Sequence, residues 1–167
     1  MNNSEFELRL LEREELKVVK ALAYDIWPRV YDYMISEDQI NYMLPLMYDI
    51  DKLKQQWVEG VMFVLLEVEG VPQGFVSFEE KEDCIFLQKL YLRPEMQGKR
   101  LGKKMLQVVI DFAQDCKKPR IELTVNRNNK SLDFYFGNGF QIKEEKDFDI
   151  GGGYFMNDYI LSLAVVA

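Results

Sequence analysis

The chain contains no histidine. That absence removes Ser-His-Asp and Cys-His nucleophilic catalysis and every histidine-ligated metal, so proton transfer falls to Glu, Asp, Tyr, Lys, Cys or water. The two cysteines, Cys84 and Cys116, are isolated and lack C-x-x-C spacing. They suggest neither a disulfide framework nor a zinc site and fit a reducing, cytoplasmic setting. No basic stretch followed by an apolar run stands at the N-terminus, and the apolar tail Leu161 to Ala167 is far too short to span a bilayer. Positive charge is also short, with 21 Lys and Arg against 28 Asp and Glu and a net charge of −7. A duplex binder recovers free energy by releasing counterions from a basic surface, so general nucleic-acid binding is not expected.

What is present is apolar and unevenly charged. With 167 residues, 48% hydrophobic and 29% charged, the whole chain, 1–167, fits one domain able to bury a substantial core. Between Ala21 and Asp51 the only basic residue is Arg29, against Asp25, Asp32, Glu37, Asp38, Asp49 and Asp51. From Met96 to Lys130 the balance reverses, with Lys99, Arg100, Lys103 and Lys104 leading a basic segment. One half suits a cation and the other an anion, although solvated helix faces of opposite sign would read the same way.

Hydrophobic periodicity divides the chain into alternating elements. Glu5 to Leu11 reads as a strand, and Arg13 to Tyr24 as a helix that Pro28 ends or bends. Ser36 and Gln39 suggest a capping box for a second helix, interrupted at Pro45, and a further helical piece runs from Asp49 to Val58. Strands follow at Met62 to Val68, Gln73 to Phe78 and Cys84 to Leu92, with Gly70-Val71-Pro72 as the first turn between them. A helix then ends near Pro119, a strand spans Ile121 to Val125, and a short helix covers Leu132 to Phe136. Two last strands, Gln141 to Lys146 and Tyr154 to Leu163, flank three glycines. The helical crossover between the Leu87 and Ile121 strands implies that these two are parallel, while the short turns imply antiparallel pairing elsewhere. The expected fold class is α/β: a mixed, mostly antiparallel sheet with one parallel strand pair and helices on both faces.

The stretch from Leu87 to Asp111 carries the chemistry. An apolar run leads into an amphipathic helix through Gln97, Gly98, Lys99, Arg100, Leu101 and Gly102. Such a turn aims unpaired N–H groups and the positive end of the helix dipole at one point, which suits a phosphate or diphosphate. An ordinary strand-turn-helix connection with a solvated basic face would look the same from the loop alone.

Two segments together are more specific. LYLRPEMQGKRLGKKML, Leu90 to Leu106, resembles the strand, diphosphate loop (Q/R-x-x-G-x-G/A) and helix of the GNAT superfamily of acetyl-coenzyme A-dependent N-acetyltransferases. VNRNNKSLDFYFGNGF, Val125 to Phe140, resembles that superfamily's N-x-x-(small)-x-x-F/L-Y-x-x-x-G-F segment, with Asn128, Ser131, Tyr135, Gly139 and Phe140 in register. One position departs: Arg100 stands at the central glycine of the loop, and the expectation is that it takes helical backbone and still offers its N–H. The resemblance implies acetyl-coenzyme A as co-substrate, without a metal. It further implies that Leu90, Tyr91 and Leu92 contact the pantetheine arm and acetyl carbonyl through their backbone. Gln97, Gly98, Lys99, Arg100, Leu101, Gly102 and Lys103 would hold the diphosphate, with Asn128 and Ser131 beside the pantetheine. Tyr135 would protonate the departing thiolate.

The acceptor side is less defined. Glu79, Glu80 and Asp158 are candidates for deprotonating an amine, with Glu79 carried forward. Trp27, Tyr31, Tyr33, Tyr42, Met43, Met47 and Tyr48 gather among acidic residues, a composition suited to an alkylammonium through cation–π contact and ion pairing, and Trp27, Tyr31 and Asp32 are the candidate acceptor-binding residues. The region is loosely similar to PaiA-type polyamine acetyltransferases. The expected activity is acetyl transfer to a primary amine, with a small cationic amine such as a polyamine as partner and a homodimer left open. A protein N-terminal or lysine acetyltransferase and a non-catalytic acyl-coenzyme A-binding module remain as alternatives.

Overall fold

The computed structural model of the protein describes residues 5–166. Short turns set its first half. β1 (Phe6–Leu10) pairs antiparallel with β2 (Met62–Val68), and β2 with β3 (Val71–Glu80). Glu69 and Gly70 both take positive φ, 52° and 79°, as a two-residue hairpin turn requires. The turn therefore sits at Glu69-Gly70, and Val71 and Pro72 already belong to β3 rather than to the expected turn. β3 pairs antiparallel with β4 (Ile85–Leu92), and β5 (Arg120–Asn126), β7 (Tyr154–Ala164) and β6 (Gln141–Gly151) complete a seven-stranded sheet in the order β1-β2-β3-β4-β5-β7-β6.

Among the described residues, the single parallel pairing joins β4 to β5. It follows from the crossover helix α4 (Leu101–Asp115), whose buried residues Leu101, Met105, Leu106, Val109 and Ala113 form one stripe against the sheet. Each Leu, Met or Val among them stabilises by about 1.5–3 kcal/mol on burial. α5 (Leu132–Gly137) joins that face through Tyr135. The opposite face carries α1 (Lys17–Tyr31), α2 (Glu37–Tyr48) and α3 (Ile50–Val58), centred on Trp27, Tyr48, Leu53, Phe63 and Phe75. Helices thus cover both faces, and among the described residues none is long and apolar enough to cross a membrane.

Pro28, expected to end or bend the first helix, and Pro45, expected to interrupt the second, both lie inside helices. Pro28 sits in the last turn of α1 and Pro45 in the last turn of α2. A proline removes one N–H and crowds one carbonyl, but burial of Trp27 before Pro28 and of Tyr48 after Pro45 holds each helix on its course. Half of the expected capping box forms on α2: Ser36 Oγ accepts from the Gln39 N–H at 3.1 Å, while the Gln39 side chain donates to the Phe155 carbonyl instead of closing the box.

β4 carries an irregularity that matters for function. Leu87 pairs with Phe78 and Lys89 with Ser77, so Gln88 is an extra residue on that strand. Such a bulge switches the side chains beyond it to the other face. Ile85 and Leu87 accordingly join the α4 core, while Tyr91 packs with the α1–α3 core. Where β3 and β4 pair near their ends, Gly74 is needed for close approach: a Cβ there would run into the Tyr91 carbonyl oxygen and lie 3.2 Å from Leu92 Cα. Because these are backbone atoms, Gly74→Ala should cost about 2 kcal/mol or more. Denaturant titration checks this, and an unchanged midpoint would show that the strands have room.

Candidate active site

β4 and β5 pair only through Ile85 with Ile121 and Phe86 with Glu122. Beyond these residues the strands diverge, while β5 remains paired with β7 from Arg120 to Asn126. The edge of β4 that faces β5 from Leu87 to Leu92 thus has no strand partner. Unpaired backbone N–H and C=O groups on a buried strand need a partner, and an extended amide-bearing chain would supply one in the manner of an added strand. This split opens into a cleft of about 1530 Å³, larger than a single drug-sized ligand needs. It has room for two reactants that meet through the sheet.

The anion end lies where β4 passes to α4. A short 3₁₀ turn, Pro94–Met96, precedes the loop. Gly98 takes φ 81°, and α4 begins without a side-chain cap, leaving its first N–H groups free for an anion. Arg100 adopts φ 62° and ψ 15°, in the left-handed region. The expected helical backbone at this position is therefore corrected. A glycine suits the position because it takes positive φ without penalty, whereas the arginine costs about 1 kcal/mol. Gln97, Gly98, Arg100, Leu101, Gly102 and Lys103 line the cleft together with Leu90, Tyr91 and Leu92. Lys99 is exposed and does not line it.

Tyr135 is 7% exposed and lines the cleft from α5. Its ring packs edge-on against Phe134 and Phe140, with centroids 5.3 and 5.4 Å away. Burial alone raises the phenol pKa above its ordinary value, so the hydroxyl keeps its proton at neutral pH. The preceding polar loop folds on its own side chains: Asn126 Oδ1 accepts from the Asn128 N–H and Asn129 Oδ1 from the Ser131 N–H, each at 2.8 Å. That arrangement turns Asn128 outward and places Asn126, Asn129 and Ser131 at the cleft. Sequence register favours Asn128, and only the turn geometry reveals its neighbour.

The opposite end, on the α1–α3 face, is aromatic. Tyr31 donates to Tyr91 Oη at 2.9 Å, and Trp27 Nε1–H donates to Tyr48 Oη at 3.2 Å. Trp27, Tyr31, Tyr33, Met43 and Met47 line the cleft here, as does exposed Asp32. Tyr42 has another role. Its hydroxyl donates to the Ile150 carbonyl at 3.0 Å and its ring packs on Tyr154, pinning the tip of the β6–β7 hairpin on α2. The α1–α2 link is tied to the β5–α5 loop, where the Lys130 N–H donates to Tyr33 Oη at 2.8 Å.

The acidic residues separate sharply. Asp25 is ion-paired with Arg93 and Arg29, and Arg29 also pairs with Glu95, so this carboxylate ties α1 to the turn before the anion loop. Glu37 and Asp38 occupy the first turn of α2, where negative charge complements the helix dipole. Glu79 pairs with Lys81 at 3.0 Å, accepts from Gln88 and lies outside the cleft lining; Glu80 pairs with Lys118. Asp158 differs from all of these. It is 7% exposed, lines the cleft, and its Oδ1 has no hydrogen-bond partner among the described residues. Desolvation raises its pKa to about 6, with Asp147 adding to the rise and Arg127 opposing it. Lys89, which sequence reasoning missed, is a second buried charged residue on the cleft wall.

Comparison with known proteins follows the same lines. The family profile described as Acetyltransferase (GNAT) family matches residues 27–140. A spermidine N(1)-acetyltransferase of Thermoplasma acidophilum is 27% identical over 147 residues, covering 83% of this chain and 89% of that protein. A spermine/spermidine N(1)-acetyltransferase of Bacillus subtilis is 28% identical over 141 residues, covering 78% and 91% respectively. Among solved structures, the PaiA N-acetyltransferase of Thermoplasma acidophilum in complex with coenzyme A superposes with a TM-score of 0.82 at 25% identity, covering 96% of this chain and 99% of the other. A split sheet, an uncapped glycine-bearing loop and a family match spanning both lead to one conclusion: the chain belongs to the acetyltransferase (GNAT) family and is an N-acetyltransferase that uses acetyl-coenzyme A.

Proposed function

We propose that the chain acetylates a primary amine of a small, multiply cationic molecule, a polyamine. The observation that carries this reading is Asp158, a buried cleft carboxylate with an unpartnered oxygen. Burying an unpaired carboxylate is costly, and an ammonium group of the acceptor would offset that cost. Trp27, Tyr31 and Tyr91 supply aromatic faces beside the cleft, and Asp32 adds negative charge at its mouth. The hairpin pinned on α2 through Tyr42 and Ile150 limits the bulk of an acceptor, favouring a small amine over a folded protein terminus. Names of relatives at 27% and 28% identity point the same way.

In this reading the anion loop and the first turn of α4 hold the diphosphate, and the free edge of Leu90 to Leu92 holds the pantetheine arm and acetyl carbonyl. Acetyl-coenzyme A supplies an activated acyl carbon. Tyr135, protonated and facing the cleft, donates to the leaving sulfur. Asn129 and Ser131 border the arm on the other wall. Glu79, held by Lys81 and Gln88 away from the cleft, takes no part.

Assays of amines with acetyl-coenzyme A test the reading, and spermidine should be a better acceptor than a monoamine of equal length. Asp158→Asn should raise the KM for spermidine about tenfold or more and leave the KM for acetyl-coenzyme A unchanged, since the lost ion pair serves ground-state binding of the acceptor. Equal KM values for spermidine in both proteins would remove Asp158 from acceptor recognition.

A further inference from the structure

Lys89 lies on β4 immediately before Leu90, lines the cleft and is 8% exposed. The bulge at Gln88 turns it to the α1–α3 face, where its Nζ stands 5.3 Å from the centroid of the Tyr48 ring. A lysine this buried normally has a carboxylate beside it. Among the described residues Lys89 forms no ion pair: Glu79, on the neighbouring strand, is paired with Lys81. Its cross-strand neighbour Ser77 is also buried, with an unpartnered hydroxyl.

The groups around Lys89 can be named element by element. Tyr48 faces it from α2, Lys52 from α3, and Ser77 and Glu79 from β3. Trp27 and Tyr31 of α1 line the same end of the cleft and are uncharged. Burial acts first against the charged form, Lys52 adds to that, and Glu79 only partly opposes them, leaving the ammonium with a pKa of about 8. At neutral to mildly alkaline pH this side chain exchanges a proton readily.

Resting on the acetyl-transfer reading above, we propose that Lys89 is the catalytic residue that takes a proton from the acceptor amine. The acceptor arrives as an ammonium. Neutral Lys89 Nζ removes one proton, and the freed nitrogen lone pair forms the new C–N bond at the acetyl carbon as the C–S bond breaks. Sulfur receives the Tyr135 proton, the second proton lost by the nitrogen restores the tyrosine, and Lys89 returns its own to solvent. One proton is released for each amide formed. The alternative base, Asp158, fits less well. An alkylammonium titrates near 10.4, so transfer to a carboxylate at about 6 is uphill by a factor of roughly 10⁴, against roughly 10² for an amine at about 8. The two buried groups thus divide the work, the carboxylate holding charge and the lysine moving a proton.

The pH dependence of kcat/KM for spermidine, with acetyl-coenzyme A, tests this in the parent chain, Lys89→Arg and Lys89→Met. In the parent, activity should rise with unit slope to a bend near pH 8. Lys89→Arg keeps a cation but cannot release its proton, so at pH 7.5 it should lose about 100-fold, as should Lys89→Met, and neither should show the bend. Affinity for coenzyme A should be unchanged in both. If Lys89→Arg retains the parental profile, the proposal is overturned. Independently of activity, NMR of the parent protein carrying ¹³C-labelled lysine, with the Lys89 signal assigned from Lys89→Arg, should show a side chain titrating near 8; a value above 10 overturns the proposal. A parent chain that acetylates no amine would instead overturn the acetyl-acceptor reading while leaving the NMR result to stand.

Discussion

Replacing Tyr135 with phenylalanine should lower kcat about 10²-fold or more and leave affinity for acetyl-coenzyme A near that of the parent chain. The substitution removes one oxygen from a ring held edge-on between Phe134 and Phe140, so packing and fold should survive. What is lost is a donor whose proton stays in place because burial raises the phenol pKa. A group that acts only as sulfur departs contributes to the transition state and little to ground-state binding. Steady-state kinetics with calorimetry of coenzyme A binding separate the two quantities. A parental kcat would exclude the hydroxyl from the reaction, and a matching fall in affinity would make Tyr135 a packing residue.

Gly102→Asp should weaken binding of acetyl-coenzyme A by about 2 kcal/mol or more, roughly 30-fold. Gly102 lies in the first turn of α4, and a Cβ there would meet the Phe134 ring at 3.4 and 3.5 Å, an ordinary contact. Gly102→Ala should therefore bind almost normally and serves as the steric control. A carboxylate at a helix N-terminus would by itself stabilise the helix by about 0.3–1 kcal/mol, so the variant should fold. The same field that welcomes the aspartate then places it against the diphosphate, where like charges repel. Folded Gly102→Asp with normal affinity would rule out this helix end as the anion site.

Much of this molecule is legible in local pattern. Alternation along Ile121 to Val125 marks a strand, and the apolar stripe from Leu101 to Ala113 marks the crossover helix. Both patterns repeat the period of the structure they form, so they survive in the linear chain. The loop before α4 is legible for a related reason, because a glycine-bearing turn into a helix is itself a local device. Proline does not end the helix at position 28 nor interrupt it at position 45, where burial of Trp27 and Tyr48 overrides a local preference.

The acceptor side was much less legible. Asp25 and Asp158 are each a lone aspartate within an element, yet Asp25 is neutralised by Arg93 and Arg29 while Asp158 is left with an unpartnered oxygen. The outward turn of Asn128 depends on which side chain closes each Asx turn, and the left-handed backbone of Arg100 on the path between the turn at Pro94 and the start of α4. Lys89 reads in sequence as one charged residue within a strand. It becomes a buried, unpaired amine only because the bulge at Gln88 swings it under Tyr48 and beside Lys52. The sequence by itself therefore determined the elements, their order, the family and the glycine-bearing loop that leads into α4, because each is written in residues close together in the chain. Only the tertiary structure decided which charges remain unpaired and what faces the cleft, since a side chain's partners and its exposure to water are set by distant segments folded against it.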